Sequence, residues 1–171
     1  MYNLDAYDAA VAKYHREMNC NVIPVISWDF HHESLNNLKS NYSDWQKVHH
    51  IADRFNWDDS EFDVLERLKE EVVVITDLKL KIVFASSRIL DMTGYTEVEI
   101  LGKSPKMFQG PETSSVVREE IRLAINSQET FEKTILNYKK NGETYFCKIN
   151  AFPVFNLKGK LTHFIAFEKA A

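Results

Sequence analysis

All five glycines of this 171-residue chain fall between Gly94 and Gly159, and none precedes Gly94. Sharp turns draw on glycine because it adopts positive φ without a Cβ clash. The front of the chain must therefore be built from helices joined by short irregular pieces, while the back can hold hairpins. The spacing of apolar residues changes at the same place, from helical before about residue 70 to β-branched runs from Glu71 onward. Charge follows the divide: the first 70 residues carry 7 Lys/Arg against 13 Asp/Glu, the remainder 14 against 12. Two segments with different jobs are expected, a helical N-terminal extension over residues 1–70 and a sheet-bearing domain over residues 71–171.

Composition narrows the function classes. A hydrophobic content of 44% with 27% charged residues is that of a soluble globular protein. The net charge of −4 offers no general basic face for nucleic acid. No basic start leads into an apolar run, and no stretch approaches the ~20 apolar residues that cross a bilayer. A cytoplasmic location away from membranes follows as an expectation, with Cys20 and Cys147 as free thiols. No metal site is expected: the six histidines lack ligand spacing, and His32-Glu33 resembles only half of a zinc-peptidase helix. No glycine-rich phosphate loop, Ser-His-Asp order or paired-carboxylate constellation occurs, so the chain is expected not to be an enzyme.

Residues 4–18 place Leu4, Tyr7, Val11, Tyr14 and Met18 at helical spacing. Cys20 to Trp28 is apolar and β-branched, broken by Pro24, and reads as extended or irregular. A longer helix follows, with Leu35, Leu38, Tyr42, Trp45, His49, Ala52 and Asn56 on steps of three and four. That stripe predicts the side of the helix that packs on a sheet, with self-association as the alternative. Trp57-Asp58-Asp59-Ser60 supplies caps for a further helix bearing Phe62, Leu65 and Leu68.

Val72–Asp77 and Lys81–Ala85 predict a hairpin about Leu78-Lys-Leu80. Ser86 to Tyr95 is helical in pattern and ends at Gly94. Thr96-x-x-Glu99 is a capping box, and Gly102 suits a left-handed helix end. Thr113 or Ser114 caps the next helix, whose apolar side is Val117, Ile121, Leu123, Ala124 and Ile125. Three strands are expected near 130–139, 143–153 and 161–169. The first two meet at Lys140-Asn141-Gly142, where Asn-Gly accepts positive φ at both central positions. Asn156 to Gly159 closes the last hairpin.

Gly102-Lys-Ser-Pro-Lys-Met-Phe-Gln-Gly-Pro-Glu-Thr113 resembles the signature of the light-oxygen-voltage (LOV) branch of the PAS family, Gly-x-Asn-Cys-Arg-Phe-Leu-Gln-Gly-Pro-Glu-Thr. Asn137-Tyr138, the Lys-Asn-Gly turn and Phe164-Ile-Ala-Phe167 extend the resemblance over roughly residues 71–169. It implies an α+β PAS fold, a five-stranded antiparallel sheet with flanking short helices, preceded here by the helical extension. In that family the turn cradles flavin mononucleotide, and its cysteine attacks the flavin in light. The cysteine position holds Pro105, so the resemblance implies a sensory module without that photochemistry.

Carried over residue by residue, the resemblance assigns phosphate-holding cations to Lys106 and Arg122 and ring-facing positions to Gln109, Asn137, Cys147 and Glu168. Cys147 and Glu168 stand where the family has an asparagine and a glutamine, and Ser104 replaces another asparagine. A carboxylate only accepts hydrogen bonds, whereas an amide donates and accepts. The amide set is half dismantled, which weighs against flavin mononucleotide and leaves the ligand unknown. If Cys147 and Glu168 face the cavity, then Phe146, Ile165 and Phe167 face outward, and an apolar patch of that kind needs a cover. The striped helix is the natural one, from the same chain or from a partner. The expected function is therefore a PAS sensory module acting through a homodimer or a partner signalling protein, by way of the N-terminal helices and the outer sheet face. The alternative is a binding protein for a flavin, another heterocycle or a lipid.

Overall fold

The computed structural model describes residues 25–58 and 62–171. The helix expected over residues 4–18 lies outside the described residues, as do Cys20, Asp59 and Ser60. Contacts divide the chain into two units, Met1–Asn36 and Asn37–Ala171. Helix α1 runs over Val25–Phe55 and α2 over Val64–Arg67, followed by strands β1 (Val72–Asp77) and β2 (Ile82–Ala85). Short helices α3 (Ile89–Thr93) and α4 (Glu97–Ile100), a 3-10 turn (Pro105–Phe108) and α5 (Ser115–Ser127) come next. Strands β3 (Phe131–Tyr138), β4 (Thr144–Phe155) and β5 (Leu161–Ala170) complete one antiparallel sheet in the order β2-β1-β5-β4-β3.

Three turns of the sheet share one device. Asp77 Oδ1 accepts from the Lys79 and Lys81 amides, both at 2.8 Å. Asn141 Oδ1 accepts from Glu143 N–H at 3.0 Å, and Asn156 Oδ1 from Lys158 and Lys160 N–H at 3.0 and 2.9 Å. A short side-chain acceptor at the turn's start thus satisfies amides that leave the ladder. A left-handed residue finishes each turn: Leu80, Gly142 and Gly159. The Asn141-Gly142 turn therefore differs from the expected primed type. Only Gly142 takes positive φ, while Asn141 works through its side chain.

The outward face of the sheet is sealed by helix. Val73, Ile75, Phe84, Val154, Ile165 and Phe167 form one buried cluster with Val48 and Ala52 of α1 and with Trp57, Val64 and Leu68. Arg67 of α2 lays its guanidinium over the Phe167 ring, 3.6 Å from the centroid, and its Nε donates to Glu71 at 2.7 Å. The expected cover is present for Ile165 and Phe167, whereas Phe146 farther along β4 stays exposed.

The helix that supplies this cover uses only part of the expected stripe: Trp45 and Ala52 pack against the cluster, and the rest of the contact comes from an adjacent side. Leu38 and Tyr42 are 55% and 53% exposed, while the buried positions are Asn41, Asp44, Val48 and Ala52. Two polar anchors set that rotation. The buried Asp44 carboxylate accepts from Ser87 N–H at 2.6 Å, and the Ser40 and Ser87 hydroxyls meet at 2.5 Å. Apolar spacing could not reveal this, because the deciding residues are polar. Val25–Trp28, expected to be irregular, is helical; a proline fits ahead of a helix's first turn, where no amide partner is lost. Helix α2 is short because Asp63 before it is left-handed, at φ 47°.

Candidate functional site

The inward face of the sheet is filled only in part: Val72, Val74, Ile135 and Cys147 pack with Ile89, Ile100 and Phe108 in a second buried cluster, and the rest of the face borders open space. A cavity of about 490 Å³ lies between it, α5 and the 3-10 turn. Its walls are apolar, with Ile121 and Ile125 of α5 opposite Phe131, Ile135, Ile149 and Phe164 of the strands. Helix α5 has a clear apolar side, yet none of its residues is fully buried. Val117 and Ile121 touch the inward core, while Ile121 and Ile125 also border open space, the arrangement expected of a ligand pocket.

The turn that closes one end is held by its own sequence. Pro105 occupies the first position of the 3-10 helix, where its missing amide costs nothing, and Ser104 precedes it as the cap. Phe108 is buried and meets Tyr95 edge to face. Gly110 is required by packing, since a Cβ there would lie 2.4 Å from the Tyr138 ring. Thr113 Oγ1 accepts from Gly110 N–H at 2.9 Å and donates to the Leu136 carbonyl at 2.7 Å. The Tyr138 hydroxyl accepts from Glu112 N–H at 3.1 Å. The Gly-Pro-Glu-Thr segment is thereby fastened to β3.

Five of the residues assigned from the sequence line the cavity: Lys106, Gln109, Arg122, Asn137 and Glu168. Cys147 is fully buried behind that wall, with its Sγ 3.6 Å from Glu168 Oε2. Burial next to Glu168 pushes the Cys147 thiol far up, so it is a protonated core side chain and no nucleophile. The Tyr145 hydroxyl lies beside Asn137 with no well-aligned partner, and burial raises it as well. Glu168 is itself 6% exposed, and burial pushes its carboxyl up to about 7, with the Cys147 hydrogen bond pulling slightly the other way. This wall is thus polar, with its one carboxyl poised between acid and carboxylate near neutral pH.

Fixed charge comes from the turn and α5. Lys106, Arg118 and Arg122 line the cavity there, with Glu119 among them. Arg122 Nε donates to Glu119 at 2.8 Å, and this bond holds the Glu119 carboxyl below its usual range. Arg118 is the residue that sequence reasoning passed over. Its signal was present, since it lies one helical turn before Arg122 on the same side of α5. Leu80 is another: it takes the left-handed position that glycine holds in the other two turns, and it borders the cavity.

The family model for the PAS domain matches residues 70–169. Protein TWIN LOV 1 of Arabidopsis thaliana is 41% identical over 88 residues, which are 51% of this chain and 22% of that protein. A blue-light-activated histidine kinase of Rhizobium johnstonii is 39% identical over 101 residues, 58% of this chain and 29% of its own length. The chain therefore spans less than a third of the length of these relatives. Among solved structures, the light state of the blue-light photoreceptor Aureochrome1 LOV superposes with a TM-score of 0.58 at 29% identity, over 62% of this chain and 85% of that one. The matched residues run from before β1 nearly to the end of β5 and hold every wall of the cavity; this chain belongs to the PAS domain family, in its LOV-like branch.

Proposed function

We propose that this chain is a cytoplasmic sensory and regulatory module with no catalysis of its own. A heterocyclic ligand on the inward face is the input, and the helices on the outward face are the output, through a second copy or a partner signalling protein. The extension over residues 1–70 and the sensor over 71–171 divide these roles. The supporting observation is the contrast within one sheet, covered by helix on one side and left on the other with an apolar cavity of about 490 Å³ beside a smaller core. Any ligand that alters the strands alters the surface on which α1 and α2 rest.

The cavity fits a flavin in size, in its apolar walls and in its polar ends. Lys106, Arg118 and Arg122 would hold an anionic tail, and Gln109, Asn137 and Glu168 would face the polar ring edge. A flavin held there would supply blue-light absorption. Pro105 at the turn offers no thiol, and Cys147 is buried and protonated, so we assign no cysteinyl adduct to the response. The second reading, a binding protein with no signalling output, draws on the cavity alone.

Titration with flavin mononucleotide, followed by blue illumination, tests the input. The expected result is a bound flavin spectrum that does not bleach reversibly to an adduct form. Reversible bleaching would remove the adduct-free part of the proposal, and failure to take up any flavin would remove the flavin part. Light scattering with and without ligand tests the output. A mass and helix packing indifferent to ligand would leave the binding protein as the better reading.

A further inference from the structure

The sequence sets a carboxyl where an amide reads the ring in relatives, and its surroundings decide what that carboxyl can recognise. Glu168 lies on β5 in the middle of the sheet, opposite Val72 of β1 and Ile149 of β4, neither of which offers a charge. Facing it from β4 are the Cys147 thiol and, farther along, the Tyr145 phenol, both protonated. From β3 the neutral Asn137 borders the same cavity. The charged lining residues besides Glu168 come from other elements, Lys106 from the turn and Arg118, Glu119 and Arg122 from α5, and none of them hydrogen-bonds Glu168. Glu70 and Glu71 are engaged by Lys169 and Arg67. Among the described residues, the Cys147 thiol makes the only side-chain hydrogen bond to Glu168.

A carboxylic acid presents one donor and one acceptor side by side, as a primary amide does, whereas a carboxylate presents acceptors only. The shape is the same in both states, and the recognised partner is opposite.

We infer that Glu168 determines the ligand class of this cavity: its acid form donates to a lone-pair acceptor of an uncharged heterocycle, a ring nitrogen or carbonyl oxygen, and its carboxylate form rejects that ligand. The inference rests on the ligand-cavity reading above. It makes uptake of such a ligand proton-coupled. Above neutrality the apolar cavity would instead admit molecules that turn N–H donors toward Glu168.

Riboflavin is a suitable probe, because it is uncharged near neutral pH and carries no phosphate whose own titration would confuse the result. Its fluorescence quenching by the full chain is measured between about pH 5.5 and 8.5, for the wild type and for Glu168→Gln. The wild-type Kd is expected to rise above about pH 7, approaching tenfold per pH unit, while Glu168→Gln stays flat near the wild-type value at low pH. Circular dichroism of the variant, which preserves side-chain shape, verifies its fold. Equal pH slopes in the two proteins, a flat wild-type profile, or wild-type binding that tightens with pH each overturn the assignment while leaving the cavity reading intact. Absence of riboflavin binding to both proteins at every pH overturns the cavity reading, and this assignment with it.

Discussion

The two faces of the five-stranded sheet are built from similar residues and finished differently. On the outward face, Ile165 and Phe167 are buried beneath Trp45, Val48 and Ala52 of α1 and beneath Leu68. On the inward face, Val72, Val74 and Ile135 are packed, but Ile149 and Phe164 line a cavity together with Ile121 and Ile125 of α5. Close packing is where a domain gains its stability, and an unfilled apolar cavity forgoes it. Helix α5 is therefore held over part of its length: Val117 and Ile121 pack on the inward core, Lys133 bonds Glu120, and Thr113 ties the preceding turn to β3. What the inward face lacks, a ligand can supply.

Removing one large side chain from each face should separate the two most strongly. Phe167→Ala should cost about 3 to 5 kcal/mol, because it empties a sealed core and removes the ring beneath Arg67. Ile125→Ala should cost only about 1 kcal/mol, since that side chain is half exposed to a cavity already there. Urea denaturation of both variants decides the matter. Equal losses would mean that the inward face is as well packed as the outward one.

Glu168 sharpens the contrast through pH. Burial raises its folded-state pKa from 4.5 to about 7. A raised carboxyl pKa means that the folded state holds a proton the unfolded state releases. Its stability is therefore complete below about pH 4.5, falls as pH rises, and has been lost above about pH 7. Glu168→Gln removes the penalty. The variant should match the wild type near pH 4 and exceed it by up to about 3 kcal/mol at pH 8. Denaturation midpoints at those two pH values measure it, and a constant difference between the proteins would contradict it.

A smaller effect separates the two ends of the cavity. Removing a cation by Arg118→Ala should weaken flavin mononucleotide by about 1 kcal/mol, roughly fivefold, and leave riboflavin unchanged. Arg122→Ala should do less, because Glu119 already engages that guanidinium and would compete with a phosphate. Isothermal titration of the four protein-ligand pairs checks both statements. Equal losses for the two ligands would place the phosphate elsewhere.

How far these regions were legible depended on what fixes them. The strands and their order followed from β-branched runs and turn residues, because local chemistry sets them. The turn from Gly102 to Thr113 was legible through its resemblance to the LOV signature, and five of the residues that the resemblance assigned line one cavity. Cys147, assigned to the ring by the resemblance, has the inward parity but is fully buried beside Glu168, outside the cavity lining. The protonation of Glu168 could not be read from sequence, since it depends on which neighbours surround it in three dimensions. The rotation of α1 was hidden for a related reason. Its register is set by a buried carboxylate meeting the Ser87 amide, 43 residues away, and not by its most apolar stripe.

That leftover stripe gives the smallest expected effect, and the most informative about output. Leu38 and Tyr42 stay exposed on α1 because Asp44 and Val48 take the sheet. Leu38→Glu should therefore change the unfolding free energy of the dilute protein by no more than about 0.5 kcal/mol, whereas Val48→Ala on the covered side should cost about 1 to 3 kcal/mol. If the stripe joins two copies, stability will also depend on protein concentration, and Leu38→Glu will abolish that dependence while leaving the dilute limit untouched. Light scattering over a concentration series reads the mass directly. A wild type that is monomeric throughout and indifferent to Leu38→Glu would take the stripe out of self-association and leave a different protein as its partner. A large loss of stability in dilute Leu38→Glu would show instead that α1 rests on the sheet by the face its apolar spacing first suggested.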